Sequence, residues 1–146
     1  MREGGVINPS QVSENKNKMQ TILVVDDDAI MRATLRDMLQ AEGYDVVEAK
    51  DGNEAMRIVG STDLAMIVTD ILMPDKDGIE LILEVNKTMP DINILAISGG
   101  GYLSADNYLS MACDLGAKTT LVKPFEIDSF INEVNKCLHP GVEASL

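Results

Sequence analysis

The sequence predicts an α/β domain, a mostly parallel five-stranded sheet covered by helices on both faces. Three observations predict it. Short apolar runs alternate five times with segments of helical spacing. The chain has 146 residues, enough for one core and too few for two comfortable ones. Hydrophobic residues make up 45%, enough for the domain to fold alone.

The elements follow in order. The run "TILVV" (21–25) reads as a buried strand and ends abruptly in three carboxylates, Asp26, Asp27 and Asp28. A helical segment follows over 29–42, with Ile30, Met31, Leu35, Met38 and Leu39 predicted on its inner face and Gly43 as its stop. "DVVEA" (45–49) is the second strand, and the short helix over 52–60 carries Ala55, Met56 and Val59. "AMIVT" (65–69) is the third strand, followed by a helix over 79–88 with Ile79, Ile82, Leu83 and Val85 inward. "INILAI" (92–97) leads to a helix at about 104–115, with Tyr108, Leu109, Met111, Ala112 and Leu115. "TTLV" (119–122) precedes the last helix, 126–138, where Ile127, Ile131, Val134 and Leu138 share a face beside Phe130.

Right-handed crossovers leave two arrangements of these units, a flavodoxin-like doubly wound order 2-1-3-4-5 or a Rossmann half. In both, ligands bind at the carboxyl ends of the strands. Outside the unit expected at residues 19–139, residues 1–18 are rich in Gly, Asn, Ser and Lys without periodicity and are expected to be a disordered tail. Residues 140–146 are a short exit tail.

Composition narrows the function. A net charge of −12 and a pI near 4.3 repel phosphate backbones, so direct nucleic-acid binding is not expected. Divalent cations or basic protein surfaces are favoured instead. Cys113 and Cys137 lack metal-ligand spacing and read as reduced, buried thiols on helices. The chain shows neither an N-terminal secretory segment nor an apolar run approaching the ~18 residues of a membrane span. A cytoplasmic location without membrane insertion is the expectation.

The strand ends carry the chemistry. With order 2-1-3-4-5, the ends of strands 1, 3, 4 and 5 bring Asp26, Asp27, Asp70, Ser98 and Lys123 to one rim. Strand 2 ends in Glu48–Ala49–Lys50, which reads as a solvated edge. Two carboxylates about 4 Å apart repel by about 4 kcal/mol at an effective dielectric near 20. A bound dication offsets this, and oxygen ligands without imidazole or thiolate suit Mg²⁺ or Mn²⁺ rather than zinc. A metal, a Lys and a hydroxyl around one point also suit a phosphoryl group, with Asp70 placed as its nucleophile.

At this point a resemblance becomes specific. From "ILVVDDD" through "EAKDGNEAM" (48–56) and "TDILMPDKDGIEL" (69–81) to "LVKPF", roughly residues 20–138 resemble a receiver domain of the response-regulator family, CheY-like. The third stretch matches that family's pattern D-x-x-M-P-x-x-D-G-x-E-L. The resemblance implies a (βα)₅ fold of order 2-1-3-4-5 and no stand-alone enzyme activity. It implies that Asp26 and Asp27 hold Mg²⁺, and that Asp70 both ligates it and accepts the phosphoryl group. The backbone carbonyl of Leu72 completes the protein's share of the coordination. Lys123 pairs with the phosphoryl oxygens, Ser98 swings in to hydrogen-bond them, and the Lys123–Pro124 bond is cis. Asp28 has no family role and reads as the N-cap of the first helix. The implied partners are a histidine kinase or histidine phosphotransfer protein and a downstream protein target.

Three departures shape the expectations. Thr120 stands where the family usually has an aromatic residue, so the signal is expected to travel through the Ser98 loop and the fourth helix. The loop "SGGGYLSADN" is glycine-rich and reads as a mobile switch without the ending of a P-loop. No output module follows His139, so a stand-alone receiver is expected. Two alternatives stay open on the residues alone. A haloacid-dehalogenase-like phosphatase would use Asp26 and Asp28 as its D-x-D pair, and a receiver-like scaffold would not use the site.

Overall fold

The computed structural model describes residues 20–73, 77–99 and 105–139. The readings of residues 1–18, of 140–146 and of the glycine-rich loop at 100–104, Tyr102 included, lie outside the described residues.

Five parallel strands form one sheet: β1 (Thr21–Val25), β2 (Asp45–Ala49), β3 (Met66–Asp70), β4 (Asn93–Gly99) and β5 (Thr119–Lys123). Their order is β2-β1-β3-β4-β5, the predicted 2-1-3-4-5. The helices are α1 (Ala29–Ala41), α2 (Gly52–Val59), α3 (Gly78–Thr88), α4 (Ala105–Leu115) and α5 (Ile127–Leu138).

Strand alternation divides the core. Ile22, Val24, Met66, Val68, Leu95 and Ile97 join Leu35 and Leu39 of α1 and Phe130 and Val134 of α5. Leu23, Val25, Ile67, Ile94 and Ala96 point the other way, into Ala55 of α2, Leu81, Ile82 and Val85 of α3 and Ala112 of α4. The central strands therefore bury both faces, which is why they read as unbroken aliphatic runs.

The helix ends are chemically marked. Gly43 adopts φ 95° and its N–H donates to the Gln40 carbonyl at 3.0 Å, ending α1 as expected of a left-handed cap. The carboxylate of Asp28 accepts from the N–H groups of Ile30 (2.9 Å) and Met31 (3.3 Å), so Asp28 is the N-cap of α1.

Several side chains depart from the predicted faces. Ile30 is 80% exposed and Ile127 56%, because each sits in the first turn of its helix, where the stripe runs out before reaching the core. In α3 the inner positions are Gly78, Leu81, Ile82 and Val85, spaced i, i+3, i+4, i+7, and Leu83 faces out. Cys113 is exposed rather than buried, and Cys137 is half-buried.

Candidate functional site

The site lies where β1, β3, β4 and β5 end. Among the described residues the buried polar side chains are Asp26, Thr69, Asp70 and Ser98, all at these strand ends. A buried carboxylate is costly unless charge or hydrogen bonds compensate it.

Asp26 is tied down at nearly every polar atom. Its N–H donates to the Ala49 carbonyl (3.1 Å), its own carbonyl accepts from Arg32 Nη1 (2.7 Å), and Oδ1 accepts from the Asp28 N–H (2.9 Å). Oδ2 is buried and has no hydrogen-bond partner among the described residues. It faces Lys123 Nζ at 3.7 Å. Asp70 Oδ2 lies 3.6 Å from the same ammonium, so Lys123 stands between the two carboxylates.

The backbone around Asp70 is equally constrained. Its carbonyl accepts from Thr69 Oγ1 at 2.9 Å, and the Ile71 N–H donates to Ile97 at 2.9 Å. The Ile71 carbonyl accepts from the Gly78 N–H at 2.8 Å, docking the start of α3 against the end of β3. Asp77 caps that helix by accepting from the Glu80 N–H at 2.9 Å.

Burial pushes the Asp70 carboxyl up to about 6; the neighbouring Asp26 and Asp27 charges add to the rise, while Lys123 and the Ile71 N–H oppose it. Asp26 is raised for the same first reason, against the Asp28 N–H and Lys123. Burial thus disfavours both ionised carboxylates despite Lys123, and a cation would relieve them.

Asp26, Asp27 and Asp70 each offer an oxygen, and these oxygens all lie within 4.8 Å of one another. An all-oxygen donor set with one orphaned carboxylate oxygen fits Mg²⁺ or Mn²⁺ better than a softer metal. Leu72 follows two residues after Asp70 with its side chain exposed.

The remaining predicted residues fall at the same end of the sheet. Ser98 is buried near the end of β4, and its hydroxyl donates to the Gly99 carbonyl at 3.3 Å. The Lys123–Pro124 bond is cis, as expected. Thr120 is half-buried on β5, opposite Ala96.

One group was not legible as part of the site. Glu48 is on the edge strand β2, as expected, but it is no solvated end. It meets Arg32 Nε at 3.0 Å and Arg36 Nη1 at 2.9 Å, and the Arg36 hydrogen bond leads the causes that hold its carboxyl below the usual range. Arg32 and Glu48 are sixteen residues apart, and only their opposite charges hinted at a pairing.

The alternative D-x-D reading needs Asp28 to work beside Asp26, but its carboxylate caps α1. No described helix is long and apolar enough to cross a membrane.

Known proteins share this fold and sequence pattern. The chemotaxis protein CheY of Bacillus subtilis is 34% identical over 119 residues, covering 81% of this chain and 97% of that protein. The DNA-binding transcriptional regulator NtrC of Rhizobium meliloti is 33% identical over 119 residues, and there the match spans only 24% of the relative's length. Among solved structures, response regulator TrrA of Thermotoga maritima, in complex with Mg²⁺-BeF, superposes with a TM-score of 0.71 at 31% identity, covering 82% of this chain and 99% of that one. Residues 22–135 match the family model of the response regulator receiver domain, and this chain belongs to that family of two-component signalling modules.

Proposed function

We propose that this receiver accepts a phosphoryl group on Asp70 from a phosphohistidine donor, a histidine kinase or a histidine phosphotransfer protein. The observation that carries the reading is the pair of buried carboxylates, Asp26 and Asp70, facing one ammonium at 3.7 and 3.6 Å beside a third acid. Asp26, Asp27, Asp70 and the Leu72 carbonyl would hold Mg²⁺, which would supply positive charge to neutralise phosphoryl oxygens. TrrA's Mg²⁺-BeF supports this assignment, because beryllium fluoride is a tetrahedral stand-in for a phosphoryl group.

The chain's own residues have the following tasks. A carboxylate oxygen of Asp70 attacks phosphorus, the P–N bond of the donor breaks, and the imidazole leaves with the bond's electron pair. Lys123 holds the negative charge of the transferred group. Ser98 donates its hydroxyl to a phosphoryl oxygen, which requires it to leave the Gly99 carbonyl. Buried backbone contacts at Thr69 and Ile71 keep Asp70 from drifting away from the donor.

The phosphorylated receiver then docks on a protein target or passes the group onward, in the cytoplasm. It is a phosphoacceptor that assists its own phosphorylation and dephosphorylation rather than a turnover enzyme. The receiver unit is assigned to residues 19–139, with 1–18 and 140–146 as flanking segments.

Intact-protein mass after incubation with Mg²⁺ and acetyl phosphate tests the assignment. A gain of one phosphate by the wild type and none by Asp70→Asn is expected. If neither gains, a phosphohistidine donor replaces acetyl phosphate, and failure there too overturns the reading in favour of a scaffold. Undiminished labelling of Asp70→Asn overturns the assignment of Asp70.

A further inference from the structure

We infer that Arg32, anchored by Glu48, is a positioning residue that sets cation affinity at the acidic site by fixing Asp26. The inference rests on the assignment of Asp26 to Mg²⁺ given above and adds to it residues outside the acid cluster.

One guanidinium makes both links. Arg32 Nη1 donates to the Asp26 carbonyl at 2.7 Å, and Nε donates to Glu48 Oε1 at 3.0 Å. The two acceptors belong to adjacent strands, β1's exit and β2, so Arg32 laces the sheet edge to the site. Glu48 is in turn held from its other oxygen by Arg36 Nη1 at 2.9 Å. The Arg32 side chain is 19% exposed, so water competes poorly for these bonds.

The effect converges on one atom. With the Asp26 N–H, carbonyl and Oδ1 all engaged, Oδ2 is the oxygen left without a hydrogen bond. A ligand oxygen fixed before binding loses little freedom when the cation arrives. Partners of ligating carboxylates commonly change metal affinity by an order of magnitude or more.

Charge alone argues the opposite way. A guanidinium beside a cation site repels the incoming dication, so simple Coulomb attraction gives Arg32 no reason to help. Positioning and charge therefore predict opposite signs for the loss of Arg32. They also differ over lysine, which keeps the charge but cannot reach two acceptors from one planar fork.

The test is isothermal titration of Mg²⁺ into the metal-free full chain at pH 7.5, with metal-free unfolding followed by circular dichroism. Arg32→Gln and Arg32→Lys are each expected to weaken Mg²⁺ binding about tenfold. Arg36→Gln, which also removes a charge from Glu48, is expected to stay within about twofold of wild type, because Arg36 is not hydrogen-bonded to Asp26. A merely structural role would lower the metal-free unfolding midpoint and leave the affinity of folded molecules unchanged. Arg32→Lys supplies the answer if Arg32→Gln does not fold. Wild-type affinity in Arg32→Lys, or tighter binding in Arg32→Gln, overturns the inference while leaving the metal site standing. A wild type that binds no Mg²⁺ at millimolar concentration overturns the metal site itself, and the inference with it.

Discussion

Gly78 sits so close to Asp70 that a β-carbon at position 78 would fall 2.3 Å from the Asp70 carbonyl oxygen and 2.7 Å from Ile71 Cα. Both obstacles are backbone, so no side-chain rotation relieves the contact. The start of α3 therefore packs on the end of β3 only if residue 78 has no side chain. Gly78→Ala is expected to destabilise the fold by roughly 2 kcal/mol, as overpacking does, and to slow phosphate uptake by displacing Asp70. Gly99→Ala is the control, since nothing lies within 4 Å of a β-carbon there. Urea unfolding and acetyl phosphate labelling read both effects; a Gly78→Ala protein equal to Gly99→Ala in both would contradict the contact.

Asp28 separates two chemistries. Its carboxylate accepts from two N–H groups of α1, so Asp28→Ala should remove about 1 kcal/mol of stability while phosphate uptake continues. Asp28→Ser, which restores a capping oxygen, should recover most of the loss. Abolished phosphate uptake in Asp28→Ser would show that Asp28 works in the chemistry rather than at the helix end.

Leu72 offers no group to orient an attacking water, although its side chain is exposed two residues after Asp70. The phosphoform is therefore expected to persist, and Leu72→Glu should shorten its lifetime several-fold by supplying an acceptor for a water proton. Phosphate loss followed by intact mass checks both statements, and a wild-type lifetime of a few seconds would refute the first.

Sequence and structure meet most closely where one local rule decides the outcome. Apolar runs became the central strands because burial on both faces removes alternation, as in β3. Asp28 and Gly43 could be placed because caps depend on neighbours within a few residues. The convergence of Asp26, Asp70 and Lys123 followed from strand order, which the family resemblance selected. What stayed hidden depends on packing between distant segments. The Arg32–Glu48 link needs α1 laid across the end of β2, and spacing along the chain says nothing about that. Helical periodicity likewise placed Ile30 and Ile127 on inner faces without showing that the core ends before it reaches them.

The raised Asp70 carboxyl makes metal-free stability depend on pH in a definite direction. Its ordinary value is 3.8 and the folded value is about 6, so between these the native state binds the proton more tightly than the unfolded chain. Stability from this group is fully present below about pH 3.8 and is lost as pH rises through about 6. Two pH units correspond to about 3 kcal/mol. Other groups also titrate, so the comparison is with Asp70→Asn, which has no charge to bury. In EDTA at pH 7.5, Asp70→Asn should be more stable than wild type by up to about 3 kcal/mol, and the gap should close on acidification to about pH 4. Mg²⁺ at pH 7.5 should narrow the gap from the other side, because it stabilises the wild-type native state in proportion to its occupancy. Urea midpoints at the two pH values, with and without Mg²⁺, decide it. An Asp70→Asn protein no more stable than wild type in EDTA at neutral pH would mean that the ionised carboxylate is already compensated, with Lys123 sufficient to hold it.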